Sequence, residues 1–297
     1  MKKSKKTLKR AVAALATIIF VIIALLPVFF VFTDSFMTER ELSERFDSYQ
    51  PETNHYTYKN SQPLYPYPFS TGQYWDLIAN GRGYFFLYSR SLAVAIAITA
   101  GQTAVCVAVG FLLGRFAFRG RAILFVFYVI VMFLPYSATL LPNYMTIRAM
   151  GLLDTQSSII LPAVFSPLGV VIMTIFAALV PQEVFDAALL ETKNLFTMMW
   201  HIFIPETKPA IAMVAIISFS EAWNMVEQPQ ALMENRLIHP LSVSLNGIFS
   251  SGRIANFAAC LLYMIPAVLL LFAFEDLLTN KIMNMAKKEV EELNVKD

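Results

Sequence analysis

Five stretches of the chain, 11–33, 91–114, 122–147, 155–180 and 254–274, run without one charged side chain. Each reaches the roughly 20 apolar residues needed to cross the ~30 Å hydrocarbon core of a bilayer. In lipid every backbone N–H and C=O must find a partner inside the protein, which restricts such runs to helices. A sixth run, 209–220, is also apolar and uncharged, but twelve residues rise only about 18 Å. To span, that helix must continue through Glu221 to residue 226, which sets Glu221 at or below an interface. Composition agrees, since 57% of the 297 residues are hydrophobic and 15% charged, against about a quarter charged in soluble domains. The sequence predicts an all-α polytopic membrane protein with six transmembrane helices.

Six spans put both termini on one side, and the distribution of Lys and Arg chooses the side. Lys2, Lys3, Lys5, Lys6, Lys9, Arg10, Arg115, Arg119, Arg121, Lys193, Lys208, Lys281, Lys287, Lys288 and Lys296 share a side, fifteen of the 23 basic residues. That side reads as cytoplasm. Residues 1–10 and 286–297 are then cytoplasmic tails, and 11–285 form the membrane domain. Within it, 34–89 is a long extracytoplasmic loop and 181–208 a cytoplasmic one. The opening KKSKKTLKR has the charge of a signal peptide. The apolar run after it is too long, however, and no small-x-small site precedes Asp34, so it reads as a retained anchor.

The loop 34–89 holds eight of the twelve tyrosines and the segment PLYPYPFS at 63–70. Proline favours extended backbone there. The tyrosines suit either a loop lying over the outer membrane surface or a docking surface for an extracytoplasmic partner. Cys106 and Cys260 both sit in apolar runs and read as small buried side chains. His55, His201 and His239 are too scattered for ligand spacing.

Residues 181–209, PQEVFDAALLETKNLFTMMWHIFIPETKP, are neither a span nor an ordinary loop. Two short helices fit them. Val184, Ala187, Ala188 and Glu191 share one face of the first, and Leu195, Met198, Met199 and Ile202 one face of the second, at i, i+3, i+4, i+7 spacing. Residues 192–194 break the pair, and Pro205 and Pro209 end the second helix and begin the next span. An interfacial helix bound to anionic lipid usually carries Lys or Arg along its polar face. Here only Lys193 and His201 stand against Asp186 and Glu191, which favours a protein socket.

The stretch resembles the EAA loop of ABC-importer permeases. Asp186, Ala187 and Ala188 stand for Glu-Ala-Ala, Thr192 stands at the usual Gly, and Ile202, Ile204 and Pro205 fall on the closing Ile-x-Leu-Pro. RFAFRGR at 115–121, GLLDTQSSIILP at 151–162 and Trp223-Asn224 with Pro229 resemble further segments of the sugar-type branch. The pattern is most similar to the second permease of maltose and multiple-sugar importers, and it covers roughly 11–33 and 66–285. Two features depart from the family. The insert at 45–66 is longer than expected. Thr192 replaces a glycine, and a β-branched residue at positive φ is strained, so either the turn differs and uses Asn194, or coupling differs.

The resemblance implies a type I ABC importer permease with cytoplasmic coupling helices in a bacterial inner membrane. Asp186, Ala187, Ala188, Glu191, Thr192, Leu195, Met199, Ile202 and Pro205 would seat in a cytoplasmic ATP-binding subunit dimer. A second permease, as a heterodimer, and an extracytoplasmic solute-binding protein complete the implied assembly, with no nucleic acid. ATP and Mg would sit on the partner. No glycine of this chain is followed by Lys, so it has no Walker A loop and no cofactor of its own is expected. Glu221, with Ser218, Ser220 and Asn224, is a candidate substrate pathway, and Trp223 a stacking surface for a sugar. The alternative for Glu221 is an ion pair with Arg90. Two other functions stay open. One is an ion-gradient-driven secondary transporter using Glu221, though no inverted repeat supports it. The other is an ABC importer for a non-sugar solute. No HExxH, GxSxG or carboxylate pair supports an intramembrane enzyme.

Overall fold

The computed structural model describes residues 2–46, 49–50, 55–56, 65–79, 82–191, 194–250 and 256–276. Apart from one antiparallel pairing of Tyr49–Gln50 with His55–Tyr56, the described elements are helical. Among the described residues four helices are long and apolar enough to cross a membrane, Val12–Asp34, Gly83–Arg115, Gln156–Leu179 and Phe257–Glu275. Two more candidates are bent pairs, Arg121–Met132 with Tyr136–Ala149 at 104°, and Leu195–Glu206 with Lys208–Trp223 at 83°. Against the six spans expected from the apolar runs, the described residues hold four, or six if each bent pair counts as one. Proline explains both bends. Pro135 has no N–H for the Val131 carbonyl, and it caps the second member in extended conformation. Pro209 likewise cannot donate to the Pro205 carbonyl, and the chain turns at Thr207.

The contacts divide the chain into two compact units. The first comprises Met1–Phe85 and Leu245–Ile265. Its helix α1 (Lys2–Asp34) exposes apolar side chains all round, Leu15, Ile18, Phe20 and Ile23 among them, as a helix facing lipid or another subunit does. Helix α2 (Glu39–Phe46) opens with a capping box. The Thr38 N–H and hydroxyl donate to Glu41 Oε2, each at 2.9 Å, and the Glu41 N–H donates back to Thr38 Oγ1 at 3.3 Å. Part of the tyrosine-rich segment folds back on this corner. The Tyr67 N–H donates to Glu41 Oε1 at 2.9 Å, and Phe36 stacks on Phe69 at 4.7 Å. In α3 (Gly72–Ala79), buried Gln73 donates to the Asp34 and Met37 carbonyls and accepts from the Phe257 N–H. Partial burial pushes the Glu41 carboxyl up, but the hydrogen bonds from Thr38 and Tyr67 outweigh it and hold the group below its ordinary value.

The second unit comprises Phe86–Ser244 and Pro266–Asp297. It contains most of α4 (Arg82–Arg115), and then α5 (Arg121–Met132), α6 (Tyr136–Ala149), α7 (Gln156–Ala163) and α8 (Pro167–Leu179). The Ser166 hydroxyl caps α8 by accepting from the Gly169 N–H at 3.2 Å. Helices α4 and α8 lie so close that a Cβ on Gly110 would overlap Met173, and one on Gly114 would overlap Ala177. A Cβ on Gly169 would meet Cys106 Sγ. The pairs 106–169, 110–173 and 114–177 advance together in steps of four, so the helices run parallel along small-residue stripes. Such stripes let backbones approach where lipid gives no hydrophobic drive.

Candidate functional site

After α8 the chain forms α9 (Gln182–Glu191) and α10 (Leu195–Met198). From there it continues through a wide π turn (Met199–Phe203) into α11 (Ile204–Glu206) and, past Thr207, α12 (Lys208–Trp223). Residues 192 and 193 of the expected break lie outside the described residues, and Asn194, at its end, is not left-handed. It stands at φ −82°, and its side chain accepts from the Phe196 N–H at 3.0 Å, an ordinary N-cap. Thr192 lies outside the described residues, as do the side chains of Ala188 and Glu191.

The face expected of the second helix is corrected by the π turn. Strict α spacing groups Leu195, Met198, Met199 and Ile202. The structure instead buries Met198 and Phe203, five residues apart, leaves Met199, Ile202 and Pro205 half-buried, and exposes Leu195, Phe196 and Trp200. The wide turn lies where Pro205 has no N–H for the His201 carbonyl, and the extra residue rotates everything after it. Phe196 and Trp200 stack in the open at 6.2 Å. Asp186 and Ala187 are exposed beside Val184 and Leu189.

Under this apolar outer face the stretch is plugged into the core of the second unit. Phe185, Met198 and Phe203 are buried in one cluster with Phe111 and Val107 of α4, Val170 and Met173 of α8, and Val214 of α12. Phe111 is central, with its ring centroid 5.0 Å from Phe203 and 6.2 Å from Phe185. Arg115, at the end of α4, donates to the Val180 carbonyl and to Gln182 Oε1, and its guanidinium lies over the Phe185 ring at 4.1 Å. Gln182 in turn donates to Asp186 Oδ1 at 3.2 Å. Sequence reading took Arg115 as a topological charge and part of the RFAFRGR segment, not as a clamp, and missed Phe111, Phe185 and Phe203 as anchors. Their signal was present, as aromatics in a stretch where the family pattern draws attention to small residues.

At the other end of this unit, α12 stops at Trp223 rather than running to 226. Helix α13 (Glu227–Leu232) and a tight 3-10 turn (Arg236–Ile238) follow. Arg90 does not pair with Glu221. It donates to the carbonyls of Leu237 and His239, each at 2.9 Å. Asp154, at φ 57°, accepts from the N–H groups of Glu234 and Asn235 at 2.6 and 3.1 Å. The Gln156 amide donates to the Ile238 carbonyl, and that of Gln228 to the Ile159 carbonyl. Glu221 and Asn224 line a cavity of about 760 Å3. Trp223 is not among its lining side chains. It is buried, stacked on Phe219 at 5.8 Å and edge-on to Tyr88 at 5.6 Å, so its ring is occupied by protein.

No family model matches the chain. It is 26% identical to an arabinooligosaccharides transport system permease protein, AraQ, of Bacillus subtilis over 62% of this chain and 66% of the relative. It is 29% identical to protein LplC of the same organism over 68% of this chain and 62% of the relative. The chain thus spans about two thirds of the length of these relatives. With an sn-glycerol-3-phosphate transport system permease protein, UgpE, of Rhizobium meliloti the identity is 24% over 81% of this chain and 82% of the relative. In fold it is similar to a chain of a bacterial ABC transporter involved in the import of the acidic polysaccharide alginate. The TM-score is 0.74 at 16% identity, over 92% of this chain and 97% of that one. The chain is thus similar in sequence to transport-system permease proteins and similar in fold to a chain of an ABC importer.

Proposed function

We propose that the chain is the permease subunit of an ATP-driven, binding-protein-dependent importer in a bacterial inner membrane, and that its solute is a sugar or oligosaccharide. Both termini are cytoplasmic. The chain forms half of the translocation pathway beside a second permease subunit and receives solute from an extracytoplasmic binding protein. It does no chemistry itself; ATP and Mg belong to a cytoplasmic ATPase dimer seated on 181–208. The observation that carries this reading is the two-sided build of that stretch. Val184, Leu189, Leu195, Phe196 and Trp200 are exposed, while Phe185, Met198 and Phe203 are fixed in the core shared by α4, α8 and α12. A large exposed apolar patch marks a surface made to be covered. A partner seated there pushes on three helices at once.

Purification through a tag on this chain tests the reading. An ATPase and a second polytopic protein are expected to co-elute, and liposomes holding the complex to take up a sugar only with ATP. A chain that alone carries solute along an ion gradient without ATP would falsify it. A phosphorylated solute is the second reading, favoured by the sn-glycerol-3-phosphate permease relative that the chain matches over much of its length. Uptake of that compound by the same liposomes would select it.

A further inference from the structure

The cavity of the second unit draws its walls from several elements, among them α4 (Gln102), the start of α6 (Tyr136), α12 (Glu221) and α13 (Glu227 and Gln228). Among its described lining residues Glu221 and Glu227 are the only charged side chains, with no Lys, Arg or His beside them. Two further groups there lack partners. Gln102, 5% exposed, leaves Oε1 without a hydrogen bond, and Tyr136 leaves its buried hydroxyl without one. A buried polar atom left unpaired is costly and rare. Gln228 marks the contrast, since its amide is spent on the Ile159 carbonyl at 3.1 Å and holds the wall.

Resting on the permease reading, we propose that this cavity is a solute-selectivity site that accepts an uncharged polyhydroxylated solute and rejects an anionic one. Sugar hydroxyls donate to the Glu221 and Glu227 carboxylates, and hydrogen bonds to an ionised acceptor are the stronger kind. A further hydroxyl donates to Gln102 Oε1, and the Tyr136 hydroxyl donates to a ring or hydroxyl oxygen. A phosphate or uronate finds no counter-charge among the described lining residues and meets two carboxylates, whose charge repels it. On this proposal the sugar reading stands and the phosphorylated solute of the second reading is rejected at the cavity.

The test uses the importer purified through this chain with its co-eluting subunits, reconstituted with ATP. Maltotriose, arabinotriose and diacetylchitobiose are offered as neutral probes, and trigalacturonate and sn-glycerol 3-phosphate as anionic ones. A neutral probe is expected to be taken up, with the anionic probes neither carried nor competing. The Glu221→Gln/Glu227→Gln variant should bring anion competition in at about tenfold lower concentration. Gln102→Met should raise the neutral KM about fivefold, with the complex eluting at its normal position. Wild-type uptake of an anionic probe overturns the proposal and leaves the permease reading standing. So does a double variant with unchanged anion competition and unchanged neutral KM. Absence of any co-eluting ATPase overturns both.

Discussion

At the end of the second unit that carries 181–206, apolar side chains do most of the holding, with Phe185, Met198 and Phe203 set around Phe111 and Arg115 clamping the start of the stretch. At the opposite end the segment 226–239 hangs on hydrogen bonds to backbone atoms, from Arg90, Gln156 and Gln228 and into Asp154. Apolar plugs fix a helix by volume and leave its outer face free to be covered. Polar staples fix particular backbone atoms and so define the rim of a cavity. The first arrangement suits a surface that must move with the spans behind it. The second suits a wall that must keep its shape. Substitutions should therefore act through lost volume at one end and through lost geometry at the other.

The largest effect is expected at the apolar end. Phe203→Ala empties a fully buried site and should cost about 3–5 kcal/mol, read as a drop in thermal stability of the purified chain. Gly110→Leu tests the close approach of α4 and α8 from the other direction. A side chain there overlaps Met173, and such overpacking costs about 1–3 kcal/mol. If Gly110→Leu melts like the wild type, the parallel small-residue packing is wrong. Arg90→Lys sharpens the contrast. It keeps the charge but removes Nη2, the one nitrogen that donates to both carbonyls, and a carbonyl left unpaired costs about 1–3 kcal/mol. A wild-type melting curve for Arg90→Lys would mean that 236–239 is held by packing after all.

The smallest effect lies in the first unit, at the Thr38–Glu41 capping box. Thr38→Ala should cost about 1 kcal/mol. The Glu41 carboxyl sits below its ordinary value of 4.5. It therefore binds protons less readily folded than unfolded, and its contribution is fully present above that value. The contribution is lost as pH falls through the lowered folded value. Melting temperature measured downward from pH 5 should fall less steeply in Glu41→Gln than in the wild type.

How much was legible follows from which signals are local. Uncharged runs of membrane length announced the helices, and the two prolines, 205 and 209, announced where the short helices after α8 give way to α12. The bend at Pro135 did not show, because an apolar run reads alike whether straight or broken, whereas the one ahead of α12 was marked by Pro205 and Pro209. The outer face of 195–203 was misread because counting by 3.6 assumes an unbroken α register, and the π turn adds a residue. Glu221 and Asn224 were placed on a cavity as expected. Gln102, Tyr136 and Glu227 were missed, because nothing local to those residues reveals that three distant segments meet. Trp223 proved a core residue through Tyr88 and Phe219, partners that only the fold supplies.

The seat on 184–200 is tested most directly by solute-stimulated ATP hydrolysis in the reconstituted complex, comparing the wild type with Ala187→Glu/Phe196→Asp. Both positions are exposed, so the purified variant should melt within about 0.5 kcal/mol of the wild type. A charge pressed into an apolar groove without a partner is costly, and stimulated hydrolysis should fall to background. Full solute-stimulated hydrolysis in that variant would contradict the assignment of this face as the ATPase seat.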